Sequence, residues 1–194
     1  MSIQLVVPYV RQLNIGGHAG TGWNDPTGCW YASACMVGYF FESGPRKGVP
    51  EIFHGGHEAL SADWQDRLLI QREHLRVIPR SDVYRAYTAR EIEGLLQNNG
   101  PLLFYWRKNN AYGHASVITG VDDAAGIVYH DPEFAHAGGT NITMTMTAFN
   151  LTRMFNPGVY GLLGRANLSD RQLLIIRSKT VGRNVAAIRQ RFGG

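Results

Sequence analysis

The stretch from residue 102 to residue 131 constrains the fold more than any other part of the chain. Leu102-Leu103-Phe104-Tyr105-Trp106 is an apolar run of strand length. Ala115-Ser116-Val117-Ile118-Thr119-Gly120-Val121 reads as a second strand, Asp122-Asp123-Ala124-Ala125-Gly126 as a turn, and Ile127 to His130 as the return strand. Antiparallel pairing brings the start of one hairpin strand to the finish of the other. His114 opens the outgoing strand, after Tyr112-Gly113, and Asp131 closes the return strand, before Pro132. The hairpin alone therefore makes an imidazole and a carboxylate neighbours across a ladder.

The first half has a different texture. Ile3 to Val10 reads as a short extended segment, cut by Pro8, that leads to Gln12. Residues 14–28 hold five glycines and Pro26, the composition of a loop. Residues 29–41 read as a helix with Ala32, Met36, Tyr39 and Phe40 on one stripe, stopped by Gly44-Pro45. After a loop with His54-Gly55-Gly56-His57, a second helix is expected over about 58–75, with Leu60, Trp64, Leu68 and Leu75 turned inward. A third helix starts at the capping box Thr88/Glu91, runs to Asn99 and stops at Gly100-Pro101. Later, Asn141 to Met146 alternates like a half-exposed strand, Gln172 to Arg177 reads as the last strand, and Asn184 to Phe192 as a short basic helix. Helices early and strands late argue for an α+β fold. The expected organisation is one domain over 1–194. Residues 1–100 would be mainly helical, 101–180 mainly antiparallel sheet, and 181–194 a basic tail.

Cys29 stands where loop becomes helix, in Asn24-Asp25-Pro26-Thr27-Gly28-Cys29-Trp30-Tyr31-Ala32. A thiol in a first helical turn meets unpaired N–H groups and the positive end of the helix dipole. Both favour the thiolate, which is the nucleophilic form. A cysteine nucleophile also needs a base within hydrogen-bond reach and a third group to hold that base. His114 and Asp131 are the candidates. Acyl transfer further needs donors for the oxyanion, each worth ~2.7–4 kcal/mol. The backbone N–H of Cys29 can be one; the side-chain amide of Gln12 or of Asn24 can be another, and the residues alone do not choose between them.

These segments resemble the papain-like cysteine peptidases. The resemblance rests on Gly28-Cys29-Trp30-Tyr31-Ala32, on Gly113-His114-Ala115-Ser116-Val117-Ile118-Thr119-Gly120 and on Tyr129-His130-Asp131-Pro132. The branch is the compact bacterial one, with the bacteriocin-leader peptidases and the AvrRpt2-type effectors of plant pathogens. Val7-Pro8-Tyr9-Val10-Arg11-Gln12 is similar to the segment that carries the oxyanion-hole glutamine there. The likeness covers 7–36 and 100–133. It implies a helical lobe carrying the nucleophile helix, packed on an antiparallel sheet. It further implies Cys29 as nucleophile, His114 as base and acid, Asp131 as orienting residue and Gln12 as oxyanion donor, with no cofactor. Two departures stand out. Gln12 precedes Cys29 by seventeen residues, farther than the family places it. His114 follows Cys29 by only 85, as in the compact branch and unlike the larger papain type.

Other features set bounds. Cys35 would be buried core, and Cys29 and Cys35 lie too far apart along one helix for a disulfide. His54, His57, His130 and His136 lack zinc-site spacing, so no metal is expected. Trp106, Tyr105 and Phe104 read as core, Trp30 as packed behind its helix, and Trp23 as a groove candidate. No apolar run reaches the ~18 residues of a membrane span. The start is not a Sec signal, so the expected location is the bacterial cytoplasm, or a target cell reached by specialised secretion. Compact peptidases of this type are often effectors or toxins, which implies a protein substrate and an immunity protein that plugs the cleft. Net charge is only +4, and Arg177, Lys179, Arg183, Arg189 and Arg191 read as a solvated basic face, so nucleic acid is not expected as a partner. The alternatives are a peptidoglycan amidase or acyltransferase using the same Cys/His pair, and a non-catalytic binding module of the same fold.

Overall fold

A computed structural model of the chain describes residues 2–12, 28–42, 73–82, 84–133, 139–153, 161–165 and 167–181. Helix α1 (Cys29–Phe41) contains no charged residue, and its side chains from Trp30 to Val37, with Phe40 and Phe41, are all buried. Such a helix belongs inside the molecule rather than on it. It packs against β3 (Leu102–Lys108) and β4 (Tyr112–Asp122). Met36, Val37 and Phe40 are fully covered, each contributing about 1.5–3 kcal/mol by burial. Helix α2 (Ala89–Asn99) has both halves of the expected capping box: Thr88 accepts from the Glu91 N–H, and Glu91 accepts from the Thr88 N–H. It ends at Gly100, whose φ of 74° suits glycine.

The described strands form one antiparallel sheet. Its path runs β2 (Leu75–Val77), β7 (Leu163–Arg165), β3, β4, β1 (Ser2–Leu5) and β8 (Thr180–Val181). β5 (Gly126–His130) pairs with β4, and β6 (Ile142–Met144) pairs with β5. The eleven residues of β4 organise the sheet. Along one edge β4 pairs first with β3 and then, beyond Ile118, with β1; β5 occupies its other edge. The β3–β4 link is a tight turn in which the Ala111 N–H donates to the Lys108 carbonyl. Its two central residues, Asn109 and Asn110, are both left-handed, as hairpin turns favour.

The β4–β5 register carries one irregularity. From the turn inward, Asp122 pairs with Gly126, Val121 with Ile127 and Gly120 with Val128; then Thr119 is passed over and Ile118 pairs with Tyr129. This β-bulge decides which face each later residue presents. Without it the ladder would run on to set Asp131 opposite Val117. With it, Asp131 falls opposite Ser116, on the face that carries His114.

Several expectations need correction. Gln172 to Arg177 is not a strand but part of helix α4 (Asp170–Ser178). Ser169 and Gln172 form a second capping box there, and Ile176 turns inward while Leu174 stays exposed. The apolar run Leu173-Leu174-Ile175-Ile176 imitates a strand, and the cap outweighs it. Leu75 is buried as expected, but in β2 and not in a helix; His74 before it has a left-handed φ of 55°. The rest of that reading, 58–72, lies outside the described residues. The alternation expected over 141–146 is strand only at Ile142–Met144, after which Thr145 caps helix α3 (Met146–Thr152). The late part of the chain thus carries two helices, α3 and α4, beside its strands, and the mainly helical early part carries the short strands β1 and β2. Lys179 is not simply solvated, because its ammonium donates to the Phe40 carbonyl at the end of α1. The basic tail from 182 onward lies outside the described residues.

Candidate active site

His114 is the third residue of β4, two rungs inside the strand rather than at its opening. It pairs in register with Trp106 of β3, so both rings stand on one face. Trp106 meets the imidazole edge-on with centroids 5.9 Å apart, and its Nε1 donates to Ser116 Oγ at 3.0 Å. Tyr112, two residues before His114 and on the same face, makes a second edge contact at 6.2 Å. The imidazole is thus packed between two aromatic rings and almost wholly buried, at 2% exposure.

Asp131 follows the last residue of β5 and is fully buried. Its Oδ1 lies 2.7 Å from His114 Nε2 and also accepts the Glu133 N–H at 3.0 Å. Its Oδ2 accepts from Lys108 Nζ at 2.7 Å. The Lys108 ammonium also donates to Glu133, and the Tyr112 hydroxyl donates to Glu133 from the other side at 2.7 Å. Because Asp131 takes Nε2, the remaining ring nitrogen of His114, Nδ1, is left for Cys29. The thiol of Cys29 is within hydrogen-bond reach of the ring. Cys29 is partly exposed and Cys35 is buried in the core, as their positions implied, and both are free thiols.

The electrostatics follow from this geometry. Burial opposes a charged His114, but the carboxylate of Asp131 and the sulfur of Cys29 outweigh it and push its pKa up from 6.5 to about 9. Burial likewise opposes the Asp131 anion, yet its bonds to His114, Lys108 and the Glu133 N–H hold it below the usual carboxylate range. Lys108 stays a cation despite burial because Asp131 and Glu133 both face it. A protonated imidazole within reach of a thiol is an arrangement that can supply an acid to a leaving group.

Gln12 is brought to the same end of the sheet. It is buried, and its backbone N–H donates to the Pro132 carbonyl at 3.0 Å, one residue past Asp131. The segment that carries it is anchored twice more. The Tyr9 hydroxyl donates to the Asp131 carbonyl at 2.7 Å, and His130 Nε2 lies 3.2 Å from the Val7 carbonyl. The other ring nitrogen of His130 accepts the Asn141 N–H at 3.1 Å. Burial pushes the His130 pKa down. Both of its nitrogens are therefore engaged in holding backbone. Asn24, Trp23, His54, His57 and His136 lie outside the described residues.

Sequence reasoning missed Lys108, Glu133, Tyr112, Tyr9 and Gly139. Gly139 accepts the Asp131 N–H at 2.8 Å, and a Cβ there would sit 2.1 Å from the Tyr9 hydroxyl. One signal was available: a lysine just beyond the apolar run 102–106, two residues past Trp106 and so on its face. The others depend on contacts between distant segments and left no pattern. Among the described residues no helix is long and apolar enough to cross a membrane. A family model described as papain-like cysteine protease AvrRpt2 matches residues 1–154, a span that holds every site residue above. With a cysteine at a helix start and a histidine–aspartate pair facing it, the chain belongs to the papain-like cysteine protease AvrRpt2 family and is a cysteine protease, a hydrolase whose substrate is protein.

Proposed function

We propose that the chain is an endopeptidase in which Cys29 is the nucleophile, His114 the base and acid, and Asp131 the residue that orients His114. The observation that carries this is the line from Cys29 at the first turn of α1, through the His114 ring, to the buried Asp131 carboxylate 2.7 Å behind it. The Cys29 thiolate attacks the peptide carbonyl carbon and forms a C–S bond. The carbonyl oxygen becomes an oxyanion, held by the Cys29 backbone N–H and a side-chain amide. Gln12 fits that second role through its tie to Pro132, and Asn24 is the alternative. Collapse expels the amine, which takes its proton from His114. Water then attacks the thioester, gives a proton to His114, and releases the acid and the Cys29 thiolate. The whole chain acts as one domain. In support, β7 and β8, beyond the matched span, pair with β2, β3 and β1.

The AvrRpt2 name in the family description favours an effector or toxin role; delivery into a target cell and an immunity protein that covers the cleft belong to the same proposal. Proteome-wide mapping of new protein N-termini in cells expressing wild type or Cys29→Ala tests both parts. Cleavage sites present only with wild type are expected, along with toxicity that Cys29→Ala removes. Identical maps would overturn the role of Cys29. Cleavage without harm to the cell would overturn only the effector setting.

A further inference from the structure

We propose that Lys108 is a positioning residue of this protease site: its ammonium, itself held by Glu133, fixes the Asp131 carboxylate and offsets part of the charge that His114 faces. The proposal rests on the assignment of Cys29, His114 and Asp131 made above. Lys108 ends β3 opposite Tyr112, so it projects from the same face as Trp106 and His114. Its residue is 8% exposed. A lysine is rarely buried so far, and when it is, it needs charged partners. Here the ammonium lies 2.7 Å from Asp131 Oδ2 and also bonds the Glu133 carboxylate. His114, Asp131 and Glu133 offer ligand atoms within 4.8 Å of one another, a spacing that could hold a metal ion. The ammonium of Lys108 is bonded to both carboxylates of that group and supplies the cation they face.

The charges then alternate along one line, Glu133, Lys108, Asp131 and His114, with the Cys29 sulfur beyond the ring. Lys108 and Asp131 each sit between partners of opposite sign. A bare buried Asp131 would grip the imidazolium too firmly, and an acid that cannot release its proton is a poor one. Lys108 moderates that grip and also holds Oδ2, so that Oδ1 stays aimed at Nε2. Tyr112 steadies Glu133. Tyr9 and Tyr129 also face Asp131, but burial pushes both phenols up, Tyr9 to about 12, so they stay neutral through the working range.

The test is the titration midpoint of the His114 ring, read by NMR of histidine-labelled full-length protein and assigned with His114→Ala. Lys108→Met removes a cation and should raise the midpoint by about one pH unit. Glu133→Gln removes an anion and should lower it, by up to about one pH unit. Lys108→Arg should leave it near the wild-type value. Opposite signs for the first two variants support the proposal, because a merely structural role has no reason to reverse sign. Unmoved midpoints, or shifts of one sign, overturn it. If Lys108→Met does not fold, Lys108→Gln, which removes the charge but keeps a donor toward Asp131, takes its place in the same comparison with Glu133→Gln. Cys29→Ala separates the two layers of the argument. It should lower the midpoint; if it does not, the Cys29–His114 assignment fails. If it does while the Lys108 and Glu133 variants are silent, only the role of Lys108 fails.

Discussion

Replacing Asp131 by asparagine removes one charge and almost no volume, so its effects can be traced to single bonds. The amide oxygen can keep the place of Oδ1, which accepts from His114 Nε2 at 2.7 Å and from the Glu133 N–H at 3.0 Å. The amide nitrogen then faces the Lys108 ammonium, donor against donor, where Oδ2 accepted at 2.7 Å. Breaking a buried pair costs ~3–5 kcal/mol, but Lys108 keeps Glu133, so we expect a loss of about 2–4 kcal/mol. The second effect falls on His114. It loses the anion that outweighs its burial, and its pKa should drop from about 9 toward 6.5. Near neutral pH the imidazolium would then be depleted and turnover should fall by about two to four orders of magnitude. Two assays read the two effects: urea unfolding at pH 7 for the midpoint, and the rate of Cys29 alkylation by iodoacetamide at pH 6 to 7, with buried Cys35 as internal control. A variant that unfolds like wild type and alkylates at the wild-type rate would refute the geometry argued for Asp131.

Stability should have a limit on each side of neutrality. The folded pKa of His114 is raised, so its contribution is complete below pH 6.5 and is lost as pH climbs through about 9; the rise corresponds to ~3 kcal/mol. The folded pKa of Asp131 is depressed, so its contribution is present above 3.8 and fades as pH falls through the folded value. Urea midpoints measured across pH should show both edges, and a midpoint unchanged between pH 7 and 10 would contradict the first. Gly139→Ala drives a methyl group into the Tyr9 hydroxyl and the Asp131 carbonyl; we expect a loss of ~1–3 kcal/mol together with slower Cys29 alkylation, and wild-type behaviour in both would show that the approach is relaxed. Thr88→Ala removes half of the α2 capping box and should cost about 1 kcal/mol in urea unfolding without changing the alkylation rate.

Much of the site was legible because it depends on local patterns. Cys29 after Gly28 at the head of an apolar helix, and His114 and Asp131 flanking one hairpin, are each visible within a short window. The capping box at Thr88 and the glycine stop at Gly100 are equally local. Failures came where two local signals competed, as in Ser169 to Ile176, where a cap and an apolar run point to different elements. They also came where a residue matters only through a distant partner. Lys108 lies twenty-three residues from Asp131, and Tyr9 lies 122 residues from it. No periodicity records such pairings.

Local patterns in the chain put a helix-borne thiol, an imidazole and a carboxylate into one α+β fold, and a hairpin brings the last two to the same end of a sheet. Those patterns do not determine that the two share a face. Side chains alternate along a strand, so a register one residue different would turn Asp131 to the far side, away from His114. The bulge at Thr119 supplies the odd residue that corrects this, and it lies where β4 passes from β3 to β1 along one edge while β5 holds the other. The same packing buries Lys108 and leaves the two carboxylates as its partners. Register and burial depend on every strand of the sheet at once, so no short window of the chain can specify them.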